Sequence, residues 1–143
     1  MKFALFTRLD SNENNDHIFS VFKSLDKHQL DYDVDSQSFD LISKLDNYNR
    51  DFNFSKVEKL SNEYDFVISI GGDGTILRSA NEIGELSIPI IGLNKGRLGF
   101  LANSPIEIID SIIEKITNSN YRISERTIIQ VEFEGKTKNA LNE

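Results

Sequence analysis

The stretch VISIGGDGTILRSANEIG, residues 67–84, decides how this chain is read. It begins with a short, buried-looking apolar run, passes through Gly71, Gly72, Asp73, Gly74 and Thr75, and becomes a helical pattern that stops at Gly84. The order strand, glycine-rich loop, helix is the unit from which parallel α/β sheets are built. The loop is the expensive part, because glycine loses more conformational freedom on folding than any other residue. GGDGT therefore needs a reason beyond the turn itself.

Working outward, residues 2–7 read as a first strand, and Ile18, Phe19, Phe22 and Leu25 mark an amphipathic helix within 14–29. A short strand follows at 30–34, the polar stretch 35–50 has no clear pattern, and Val57, Leu60 and Tyr64 predict a second helix before the strand 66–70. Beyond GGDGT come a helix over 76–83 closed by Gly84, a strand over 88–93, and Ser104-Pro105 as N-cap and first residue of a further helix. That last helix carries Ile109, Ile112, Ile113 and Ile116 on one face and Asp110, Glu114 and Lys115 off it. The alternation predicts an α/β fold, a mostly parallel sheet with flanking helices of Rossmann-like type, over residues 1–120. From 121 the pattern turns to β: segments at 121–125 and 127–133, a Glu134-Gly135 turn, and a return strand from Thr137. Residues 121–143 thus read as the beginning of a second, β-rich domain that is truncated.

Composition narrows the function. The 143 residues are 38% hydrophobic and 27% charged, with a net charge of −7, as expected of a soluble globular chain. With a pI near 4.9, nucleic acid and anionic membranes are poor partners. There is no cysteine, hence no disulfide and no thiolate chemistry. The N-terminal apolar run, Phe3 to Phe6, is too short for a signal-peptide core or a membrane span. These features point to a cytoplasmic protein.

In open α/β sheets, ligands sit beyond the carboxyl ends of strands, which is where GGDGT lies. The backbone of Gly71, Gly72, Gly74 and Thr75 can converge N–H groups on an anion, with the helix N-terminus adding its positive end. The loop contains no lysine, so phosphate charge would be met by a divalent metal or by Arg78, Lys95 or Arg97. Asp73 repels phosphate and makes sense as a metal contact, or as the acceptor of a proton from an attacking hydroxyl. The plainer alternative is a tight turn with Asp73 capping the helix. A second block, PIIGLNKGRLGFLAN (89–103), offers Asn94, Gly96 and Gly99 as another wall, with Phe100 placed to lie on a flat base. Its plainer alternative is a turn whose apolar residues rejoin the core. A third block, ALNE (140–143), says nothing by itself.

Together the three blocks resemble the NAD kinase family, in register from about Asp65 to Glu143. GGDGT alone is shared by diacylglycerol, sphingosine and phosphofructokinase-type enzymes; NKGRLGFL and the downstream Asn-Glu pair set this sequence apart. The resemblance implies transfer of the terminal phosphoryl of ATP to the 2′-hydroxyl of the adenosine ribose of NAD. It makes Asp73 the proton acceptor, and sets Gly71, Gly72, Gly74 and Thr75 around phosphates with Mg²⁺ or another divalent metal. It brings Arg78 and Asn94 to the substrate cleft, Leu98 and Phe100 to the adenine side, and Asn142 and Glu143 to the ribose of NAD. It implies a larger β domain and a homo-oligomer in the complete protein, so that a 143-residue piece would be a fragment inactive alone. Two other readings compete: a GGDGT-type lipid or sugar kinase, and a nucleotide-sensing or interaction module without catalysis.

Overall fold

In the computed structural model the described residues are 1–8, 16–43, 52–96 and 99–141, with side chains 136–138 excluded. The chain runs β1 (Lys2–Thr7), α1 (Asp16–Lys27), β2 (Asp31–Asp35), α2 (Ser36–Ile42), β3 (Ser55–Val57), β4 (Phe66–Ile70), α3 (Asp73–Ile83) and β5 (Ile90–Asn94). It continues through β6 (Ser104–Pro105), a 3-10 turn (Ile106–Ile108), α4 (Ile109–Thr117), β7 (Ile128–Phe133) and β8 (Lys136–Leu141). The first six strands form one sheet in the order β3-β2-β1-β4-β5-β6, every pair parallel. β7 and β8 form a separate antiparallel hairpin, joined through Glu134 and Gly135 at φ 49° and 70°.

Strand alternation sorts the core into two layers. Phe3 and Leu5 of β1, Tyr32 and Val34 of β2, and Phe66, Ile68 and Ile70 of β4 face α1 and α4, where Ile18, Phe22, Ile109 and Ile113 meet them. Ala4, Phe6 and Val67 face the opposite way, toward Ile83 of α3 and toward Ile88. A sheet buried on both faces is what a parallel α/β arrangement requires.

The structure departs from the sequence expectations in several places. Residues 57–64 are not a helix: β3 ends at Val57, and an irregular crossover carries Leu60 and Tyr64 under the α3 layer. The apolar spacing was real, but its anchor is polar. The Tyr64 hydroxyl donates to Asp33 Oδ2 at 2.9 Å, and Lys2 Nζ sits 2.9 Å from Asp33 and 4.8 Å above the Tyr64 ring. Conversely, the patternless stretch after Asp35 contains α2, which Asp35 caps by accepting from Gln37 N at 3.2 Å. Ser104-Pro105 does not open a helix but pairs with the edge of β5, Leu93 opposite Ser104, so α4 starts only after the 3-10 turn. Finally, residues 121–127 are irregular and the hairpin begins at Ile128.

Candidate functional site

Chain order reverses between β1 and β4: β1 leads outward to β2 and β3, and β4 leads outward to β5 and β6. This is the switch point at which loops diverge and leave a crevice beyond the strand ends. GGDGT follows β4 there, and the 95–102 loop follows β5 beside it.

α3 starts at Asp73, three residues earlier than the apolar spacing indicates, so only Gly71 and Gly72 are loop. Gly71 holds φ 154°, and a Cβ on it would collide with the Thr75 side chain. Its N–H donates to Leu93 O at 2.8 Å, fastening the loop to β5. Gly72 is the N-cap and offers no side chain to the first turn, while Thr75 N donates back to Gly72 O at 3.0 Å. Gly72 and Gly74 differ from Gly71 in one respect: a Cβ on either would meet nothing within 4 Å. The fold needs Gly71 to be glycine and leaves the other two bare. Thr75, only 5% exposed, is packed against Gly71 and does not line the open surface.

The Asp73 carboxylate is bound by the neighbouring loop. Oδ1 accepts the N–H groups of Leu101 (2.9 Å) and Ala102 (3.0 Å), and Oδ2 accepts that of Phe100 (3.0 Å). The Ala102 and Leu101 amides, with Phe100 adding to them, hold this carboxyl below its usual range against a smaller opposing effect of burial. The 95–102 loop is shaped from within by Asn94, 3% exposed. Its Nδ2 donates to Ala102 O at 3.2 Å and its Oδ1 accepts from Gly96 N at 3.0 Å. Asn94 is therefore the internal brace of the second wall. Phe100, at the tip, is 81% exposed. Lys95 Nζ donates to Arg8 O at 2.8 Å, across the switch point.

Arg78 turns away from Asp73. Its guanidinium donates to Thr7 O (2.9 Å) and Gln37 Oε1 (2.5 Å), lies 3.4 Å from Asp35 Oδ2, and covers the Phe6 ring at 5.5 Å. It lines a cavity of about 160 Å³ with Phe6, Asp35, Gln37 and Leu60. Asp35 also accepts from Ser38 Oγ, which in turn accepts from Thr7 N at 3.1 Å, so the ends of β1 and β2, α2 and α3 are tied in one network. The sequence reading did not include Thr7, Gln37, Asp35 or Ser38. The signal was present in DYDVD, whose alternation sets three aspartates on one face of β2. Arg97, Leu98, Asn142 and Glu143 lie outside the described residues.

Among the described residues, no group of three or more His, Cys, Asp or Glu side chains is placed to hold a metal ion. No helix among these residues is long and apolar enough to cross a membrane.

Fold and site together define a parallel α/β domain with a bare glycine loop and a helix N-terminus at its switch point, the arrangement of phosphate- and nucleotide-binding proteins. Comparison with known proteins gives the particular family. Residues 12–121 match the ATP-NAD kinase N-terminal domain, and the chain belongs to that family. It is 37% identical over 134 residues to the NAD kinase of Bacteroides fragilis, covering 92% of this chain and 45% of that protein. To the NAD kinase of Cytophaga hutchinsonii it is 32% identical over 143 residues, 99% of this chain and 49% of the relative. The chain thus spans about half the length of these relatives. A crystal structure of yeast NADH kinase complexed with NADH superimposes with a TM-score of 0.69 at 13% identity, over 98% of this chain and 45% of that one. This last likeness bears on the fold alone.

Proposed function

We propose that this chain is the phosphate- and nucleotide-binding half of an NAD kinase, and that the complete protein phosphorylates the 2′-hydroxyl of the adenosine ribose of NAD with ATP. The observation that carries this reading is the pairing of bare Gly72 and Gly74 with an anchored Asp73 at the switch point. Without Cβ atoms there, phosphate oxygens can approach the N–H groups of Asp73 and Gly74 in the first turn of α3, that of Thr75 being taken by Gly72 O. A divalent metal carried on the nucleotide would neutralise the charge that this loop, lacking lysine, leaves unmet.

In the reaction the ribose O–H bond breaks as its oxygen bonds to the γ-phosphorus. The bridging P–O bond breaks, its electron pair leaves with ADP, and the proton passes to Asp73. An ionised carboxylate of depressed pKa does not deprotonate a ribose hydroxyl beforehand; it accepts the proton as the new bond forms. Such a base is typically worth roughly 10²–10⁴ in rate. Phe100, exposed on the second wall, supplies a flat apolar face for adenine. Asn142 and Glu143 complete the ribose contacts, and Leu98 the adenine side, in the reading the resemblance gives.

The test is NADP formation from NAD, ATP and Mg²⁺ by this chain continued through the C-terminal half of the Bacteroides fragilis enzyme. We expect turnover, lowered at least about a hundredfold by Asp73→Asn. We expect the 143 residues alone to be far weaker. A folded continuous chain that makes no NADP but phosphorylates a lipid or sugar alcohol would replace this reading with the other kinase.

A further inference from the structure

Gly99 lies directly against the Asp73 carboxylate. A Cβ built on Gly99 would overlap Oδ1, with Cγ only 2.9 Å away and Oδ2 3.1 Å away. The carboxylate is a side-chain end, but a tethered one: it hangs from the first residue of α3, and the loop backbone donates to it three times in succession, at residues 100, 101 and 102, so that moving it aside breaks those bonds. No ordinary side chain at 99 is compatible with that seat. The two oxygens are also unequal. Among the described residues Oδ1 takes two N–H groups and Oδ2 one, so of the two in-plane acceptor positions each oxygen has, these donors fill both on Oδ1 and leave one on Oδ2.

We propose that Gly99 is a positioning residue for Asp73: by having no side chain it lets the carboxylate sit among the N–H groups of residues 100–102, turned so that Oδ2 keeps one acceptor position for a hydroxyl. The hydroxyl clause rests on the kinase reading above; the positioning itself does not. The two walls of the crevice are then one unit. Replacing Asp73 removes more than a base, because an amide offers a single acceptor oxygen and sets an NH₂ against one of the three donors.

The test uses the 143-residue chain. The Asp73 carboxyl is titrated by ¹³C NMR, its signal assigned by its loss in Asp73→Asn. In the wild type we expect it to titrate below the ordinary 3.8; in Gly99→Ala we expect it to move up toward that value, with shifted Phe100, Leu101 and Ala102 amides. An unchanged titration in folded Gly99→Ala overturns the proposal. If Gly99→Ala does not fold, amide exchange in the wild type decides. Protection of those three N–H groups should be lost together as Asp73 protonates, and protection indifferent to that titration refutes the seat. A continued chain that makes no NADP would sink the kinase reading and leave this result standing.

Discussion

Gly71, Gly72 and Gly74 look alike in the sequence, and the structure separates them by what a methyl group would meet. At Gly71 a Cβ collides with Thr75 and the residue holds a positive φ, so Gly71→Ala should lower stability by about 1–3 kcal/mol. At Gly74, inside the first turn of α3 with open space around it, alanine should instead raise stability by up to about 1 kcal/mol. Denaturant midpoints at unchanged slope read both changes. The same Gly74→Ala chain should bind ATP·Mg²⁺ more weakly, a combination a mere turn would not produce. Loss of stability in Gly74→Ala would mean that the bare glycine serves the fold after all. The cost that made GGDGT conspicuous is thus divided: the fold requires the glycine at 71, and the proposed function assigns the bareness of 72 and 74 to a ligand. No reading of the letters could make that division, because it depends on where Thr75 and the loop after β5 come to lie.

Among the elements, the sequence was most legible where period and punctuation agree. β4 is bounded as the apolar run indicates, α3 ends at Gly84 with φ 56°, and α4 buries Ile109, Ile113 and Ile116. It failed where burial is held by polar partners at long range. Leu60 and Tyr64 are spaced like a helix face, yet the crossover is fixed by Lys2, Asp33 and Tyr64, which no local pattern announces. In that cluster burial pushes the Tyr64 phenol up to about 12, with Asp33 adding to the effect. Because the folded value lies above the ordinary 10.0, the stability it reflects is whole below pH 10 and is lost as pH rises through about 12. Ultraviolet titration should show a late phenol that Tyr64→Phe removes; a late phase left unchanged by that substitution, or none in the wild type, would deny the contact. Arg78 gives the second element-scale test. If it is the strut joining α3 to β1 and α2, Arg78→Met should cost about 2 kcal/mol, since Asp35 stays buried with a partner removed. Unchanged stability with weakened nucleotide binding would return Arg78 to the substrate role that the resemblance implies.

For the whole molecule, strand order matters more than any single residue. The arrangement β3-β2-β1-β4-β5-β6 opens its crevice between β1 and β4, and both glycine-spaced loops leave strands on the β4 side of it. The first two blocks of the resemblance follow the consecutive strands β4 and β5. Of its third block, Ala140 and Leu141 end β8 and Asn142 and Glu143 lie outside the described residues; the hairpin that β8 forms with β7 exposes Ile129, Val131 and Phe133. Three large apolar residues on one face of a two-stranded ribbon fit a sheet covered by further chain in the longer relatives. A continued chain should therefore lose the hydrophobic-dye binding expected of the 143 residues, and equal dye binding by both would argue against such a cover.

The central claim is that nucleotide phosphates meet the N-terminus of α3 at Gly72–Gly74. It is tested most directly by following backbone amide shifts of the 143-residue chain as ATP·Mg²⁺ is added to millimolar concentration. The expected result is saturable movement concentrated at residues 71–75 and 99–102, diminished in Gly74→Ala. Shifts confined to the Arg78 cavity, or none at any concentration, would contradict it.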